Sequence, residues 1–106
     1  MAIEPEDFEL LKTIREQNPE GGSCAILGDC HVYGHSLESF KEDMGFSSLD
    51  TFDINGNPTH KVDLNEPIDE QFEKGYDWII DSGTLYCCFD PCTVFKNILF
   101  MLKESG

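Results

Sequence analysis

Four strand-to-turn junctions in this chain carry residues suited to holding a polar ligand. Asp77-Trp78-Ile79-Ile80-Asp81-Ser82-Gly83-Thr84-Leu85 is an apolar run that ends in an acid and a small-residue turn, and Phe89-Asp90-Pro91 opens a helix behind it. Cys24-Ala25-Ile26-Leu27-Gly28 is a second apolar run that ends in glycine, and Asp53 and Asp63 close two further runs between these. A buried parallel strand that stops at an acid or a glycine delivers polar groups to the C-terminal edge of an α/β sheet, where ligands bind. Gly28 permits close backbone approach and dihedrals that other residues avoid. Asp53 stands 25 residues past Gly28. In dinucleotide folds an acid about 20 residues past the glycine turn holds a ribose diol, its two oxygens accepting both hydroxyl protons. The plainer reading makes Gly28 a tight turn and Asp53 a turn former ahead of Asn55-Gly56. The dinucleotide fingerprint is absent, because Cys30 and Val32 stand where its later glycines belong.

A second set of reactive side chains is a rival. Cys30, His31 and His35 share the first loop, and Cys87, Cys88 and Cys92 follow the fourth apolar run. Thiolates with imidazole suit zinc. Adjacent Cys87-Cys88 is not a chelating spacing, however, and no Cys-x-x-Cys pair exists. No metal is therefore assigned, and the thiols are read as buried or idle.

The elements that must position these groups are legible from period and punctuation. A helix over residues 5–17 starts at Pro5 with Glu6 and Asp7 at its positive end, and Phe8, Leu11 and Ile14 form its apolar stripe. Cys24–Leu27 is a short buried strand, and 28–35 is a loop. Ser36 caps a helix that buries Leu37, Phe40 and Met44, and Gly45 stops it. Leu49–Ile54 is the next strand, His60–Leu64 a short third one, and residues 68–74 a short helix packing Ile68 and Phe72. Tyr76–Ile80 is the fourth strand. Asp90-Pro91 starts a last helix whose apolar face comprises Val94, Phe95, Ile98, Leu99 and Leu102. Glu66, Asp69, Glu70 and Glu73 form a solvated face.

Strands alternating with helices imply a mainly parallel sheet. The order of elements over roughly residues 20–106 resembles the N-terminal half of the class I S-adenosylmethionine-dependent methyltransferases. The resemblance implies a three-layer α/β sandwich with a Rossmann-like, mostly parallel four-stranded sheet of order 3-2-1-4. That is an incomplete version of the family's seven-stranded fold. It also implies S-adenosylmethionine as cofactor. Gly28, Asp29 and Cys30 fall on the turn that contacts its methionine part, and Asp53 with Ile54 on the ribose-holding strand end. Asp63 and Leu64 fall where the adenine amino group is approached, and Asp81, Ser82 and Gly83 at the methyl-transfer site. Asp81 and His35 are the only candidates for a catalytic base, by placement. Tyr86-Cys87 replaces the Glu-His that many similar members carry.

Composition bounds the rest. The chain has 106 residues, 40% of them hydrophobic, and a formal net charge of -14. It is expected to form one domain, 1–106. With seven scattered basic residues it lacks the cationic patch that nucleic acid or an anionic membrane surface requires. No signal peptide or membrane span is read in it, and the odd, crowded cysteines point to reduced thiols in the cytoplasm. The fourth strand has no lysine, proline or bulge to protect an edge, so a homodimer is expected. The functional expectation is a methyltransferase-like, cofactor-binding domain with low or no turnover. The alternatives are a non-catalytic remnant or interaction module of the same fold, or a nicotinamide-nucleotide binder.

Overall fold

The central strand is apolar along almost its whole length because it is covered on both faces. In the computed structural model, which describes residues 2–3, 5–28, 31–32, 36–54, 58–81 and 90–103, Cys24, Ala25, Ile26 and Leu27 are all fully buried. Each large side chain of this kind contributes roughly 1.5–3 kcal/mol on burial.

The elements run β1 (Ala2–Ile3), α1 (Pro5–Gln17), β2 (Ser23–Leu27), β3 (His31–Val32), α2 (Leu37–Met44), β4 (Ser48–Asp53), β5 (His60–Lys61), a 3-10 turn (Glu70–Phe72), β6 (Trp78–Asp81) and α3 (Pro91–Met101). Four strands form one sheet of order β5-β4-β2-β6, and every pairing in it is parallel. In chain order that is the expected 3-2-1-4. The small parallel pair β1–β3 was not expected. It places two residues of the presumed 28–35 loop in a strand, and segments of two residues are too short to show a period.

The alternation of β2 sorts the core into two layers. Cys24 and Ile26 face α1 and α2, where they meet Phe8, Phe40, Met44, Phe46 and Ile80. Ala25 and Leu27 face α3 and the 3-10 turn, with Phe52, Leu64, Phe72, Tyr76, Val94 and Met101. Caps delimit the helices as the sequence implies. The Ser36 hydroxyl accepts from the Ser39 N–H, and Gly45 (φ 72°) ends α2. Asp90 accepts from the Thr93 N–H ahead of Pro91.

Several expectations need correction. On α1, Ile14 is 37% exposed while Arg15 is only 7% exposed, so a cation takes the inward position. On α3, Phe95 and Leu99 face outward at 53% and 59% exposure, and Asn97 is buried at 4%. The inward line is Val94, Asn97, Ile98 and Met101, at helical spacing. The third strand stops at Lys61, because Asp63 turns the chain by accepting from the Asn65 N–H. The helix expected over 68–74 is a single 3-10 turn. The fourth strand begins at Trp78, and Tyr76 forms an isolated parallel bridge with Leu102. The strand edge expected to be open is thus covered at its start, with the Lys103 N–H donating to the Tyr76 carbonyl at 2.8 Å.

No helix among the described residues is long and apolar enough to cross a membrane.

Candidate functional site

The register places the predicted glycine and acids along one edge. Leu27 is level with Phe52 on one side and Asp81 on the other, and Asp53 is level with Lys61. Gly28, Asp53 and Asp81 therefore end three adjacent strands, and Asp63 follows the fourth. From β2 the chain moves outward to β4 and β5, then returns to β6 on the other side of β2. The strand order reverses between β2 and β6, which is where ligands bind in open parallel sheets.

Each member has a definite local setting. Gly28 has φ 104°, a conformation that L side chains rarely adopt, and its N–H donates to the Phe52 carbonyl at 2.7 Å. Asp53 is half-buried; Ile54 beside it is 51% exposed and offers an apolar surface at the edge. Asp81 is exposed. Asp63 is exposed and forms an Asx turn: its Oδ1 accepts from the backbone N–H of Asn65 at 2.9 Å and from its side-chain amide at 3.1 Å. Leu64 is different from its neighbours, for its side chain belongs to the core against α3. Asp29, Cys30, Ser82, Gly83 and the catalytic candidate His35 lie outside the described residues.

The thiols divide by position. Cys24 is buried in the sheet, and burial pushes its thiol up to about 12, with Arg15 opposing and Asp50 adding to the shift. Such a thiol is neutral and inert. Cys92 is exposed at the start of α3. Cys30, Cys87 and Cys88 lie outside the described residues. Among the described residues no three His, Cys, Asp or Glu side chains converge as a metal would need.

The sequence did not announce three polar constellations. Asp50 Oδ2 accepts from the Tyr76 hydroxyl at 2.6 Å and lies 3.3 Å from His60 Nε2. Burial, then the hydrogen bond and charge of Asp50, raise the Tyr76 phenol well above its ordinary range, so it remains a donor. At the N-terminal end of the sheet, Asp77 Oδ2 accepts from the Gly22 N–H, the Ser23 N–H and the Ser23 hydroxyl, with Lys103 Nζ at 3.5 Å. The third is Asn97, whose amide bonds three backbone groups of the loop after β5. Polar residues in apolar stretches were the available signal, and spacing alone does not reveal their partners.

A groove of about 740 Å³ lies at the opposite end of β6 from Gly28, lined by Asn18, Glu20, Gly21, Asp77, Trp78 and Leu102 among others. It holds the Asp77 fastening and no residue of the glycine–acid edge.

No family model matches the chain, and no match is found among curated proteins or solved structures.

Proposed function

We propose that this is a Rossmann-like domain that binds S-adenosylmethionine, or its demethylated product, across the C-terminal ends of β2, β4, β5 and β6. The observation that carries the reading is the convergence of a positive-φ glycine and three aspartates on one edge where the strand order reverses. Gly28 lets the backbone approach the methionine part. Asp53 accepts the ribose hydroxyls, Ile54 offers an apolar contact, and Asp63 faces the adenine amino group. Asp81 lies nearest the sulfonium side. The helices packed on both faces of a parallel sheet suit the three-layer form of an incomplete methyltransferase fold.

Methyl transfer from a sulfonium needs in-line alignment more than proton transfer, and a base only if the acceptor must lose a proton. β6 pairs with β2 alone along Trp78–Asp81 among the described strands. Asp81 ends this strand exposed, which favours binding with little turnover, since water is poorly excluded there. Such a domain works as a cofactor-binding or interaction module. The nicotinamide-nucleotide alternative has less support, because a single glycine replaces the fingerprint.

Calorimetric titration with S-adenosylmethionine, S-adenosylhomocysteine and NAD tests the reading. Binding of the first two and not of NAD is expected. Absence of heat with either sulfur ligand at millimolar concentration would discard it.

A further inference from the structure

Asn97 is a polar residue in the middle of an amphipathic helix, and it is buried. Its Nδ2 donates to the Leu64 carbonyl at 3.0 Å and the Glu66 carbonyl at 2.8 Å, and its Oδ1 accepts from the Ile68 N–H at 3.0 Å. Only one amide orientation satisfies two acceptors and one donor, so the rotamer is determined by the network. The loop after β5 is thereby fastened to α3 at residues 64, 66 and 68, with Leu64 in the same core cluster as Val94 and Met101.

A second fastening runs through the preceding residues. The Asn65 side chain donates to Asp63 Oδ1, and its own Oδ1 accepts from the Asp90 N–H at 2.9 Å. Asp90 in turn caps α3 through Thr93. Both bonds to Asp63 fall on Oδ1, and no described residue bonds Oδ2. The carboxylate is held by one oxygen and presents the other.

We propose that Asn97 and Asn65 are positioning residues: they lock the loop after β5 onto α3 and so orient Asp63 with one oxygen free to accept from a ligand N–H. This rests on reading Asp63 as the group that meets an adenine amino group. A buried amide with three satisfied bonds is a costly way to hold an ordinary surface loop, because any missing partner leaves a desolvated polar atom. Its yield here is a fixed acceptor next to the binding edge.

The test uses the full chain carrying Asn97→Leu, a swap of similar size. Amide hydrogen exchange is followed alongside titration with S-adenosylhomocysteine and with its inosine counterpart, which lacks the amino donor. The Asn65 and Ile68 amides are expected to exchange at least about tenfold faster while those of Ala25 and Ile26 stay protected. Wild-type preference for the adenine ligand, about tenfold for one hydrogen bond to a charged group, is expected to fall toward parity. A merely structural role would lower overall stability without changing that ratio. Unchanged protection at Asn65, or an unchanged adenine-to-inosine ratio, overturns the proposal. Asn65→Ala, at a half-buried position outside the core, is expected to erode the ratio in the same direction and serves if Asn97→Leu fails to fold. Should the wild type bind neither ligand, the cofactor reading falls, and exchange at Asn65 still decides whether Asn97 holds the loop.

Discussion

The two ends of the sheet place their polar groups in different settings. At the N-terminal end they satisfy one another: Asp77 gathers Gly22, Ser23 and Lys103, and Arg15 gathers four carbonyls. At the C-terminal end Asp53 and Asp81 close two strands beside Gly28 and Asp63 follows a third, with Asp53 half-buried and Asp63 and Asp81 exposed. On the function proposed above, the first end serves stability and the second serves ligand contact. Substitutions at the first should therefore reduce folding stability, and those at the second should reduce binding.

Arg15 gives the largest expected effect. Its Nε donates to the Met44 carbonyl at 2.9 Å, Nη1 to the Asn18 and Glu20 carbonyls, and Nη2 to the Gly45 carbonyl. Met44 and Gly45 end α2, so the cation sits at the negative end of a helix dipole. The guanidinium also lies 4.6 Å from the Phe46 ring centroid and 5.5 Å from that of Trp78. Arg15→Ala removes four hydrogen bonds, the one to the Met44 carbonyl buried, together with two ring contacts, and should cost about 3–4 kcal/mol in urea denaturation. Arg15→Lys should recover less than half, for an ammonium cannot span four acceptors. A loss below about 1 kcal/mol would refute the role assigned to this end.

Arg15 also shows where sequence reading stops. The strand runs, the caps at Ser36 and Asp90, and the stop at Gly45 were legible because each has a local cause. The strand order was legible only through a resemblance. The facing of α1 and α3 was misjudged at Ile14, Phe95 and Leu99, since periodicity weighs apolar side chains alone. Arg15 and Asn97 take the inward positions instead because their polar atoms find partners there, most of them carbonyls far away in sequence. At the candidate edge, Gly28, Asp53 and Asp81 were legible as strand ends. That Leu64 turns into the core was not, because it depends on α3 being there to receive it.

Asp77 comes next. Hydrogen bonds from the Ser23 N–H and hydroxyl hold its carboxyl below the usual range, with Lys103 and the Gly22 N–H adding to the effect and burial opposing it. The folded state therefore binds its proton less readily than the unfolded chain. Its contribution is complete above the unfolded value of about 3.9 and is lost as pH falls below that through the lowered folded value. Asp77→Asn should flatten this part of the stability–pH curve and cost about 1–2 kcal/mol at neutral pH. Denaturant midpoints between pH 2 and pH 7 provide the measurement, and parallel curves for both proteins would contradict the assignment.

Asp53 tests the other end. Asp53→Ala should weaken S-adenosylhomocysteine binding by about 1–3 kcal/mol and change the denaturation midpoint less than Asp77→Asn does. If instead stability falls and affinity holds, the two ends are alike and the contrast between them is void.

The smallest effect concerns the flank of β6. Among the described strands Trp78–Asp81 pairs on one side alone, and α3 exposes Phe95 and Leu99, so a homodimer is the expected association. Two-fold symmetry allows this strand to pair with its copy only in antiparallel fashion. Leu102 and Lys103 already lie beside Tyr76 in parallel register, so an antiparallel ladder cannot extend past Trp78 without displacing them. Four residues per copy make a short ladder, and a net charge of -14 on each chain opposes contact until salt screens it. The dimer should therefore be weak, with a Kd above roughly 10 μM, and tighter at 0.5 M than at 0.05 M salt. Phe95→Glu combined with Leu99→Lys should abolish the salt-dependent association while leaving the denaturation midpoint within about 0.5 kcal/mol of wild type, as both side chains are exposed. Sedimentation velocity that reports monomer at both salt concentrations would remove the dimer and leave β6 as a plain edge.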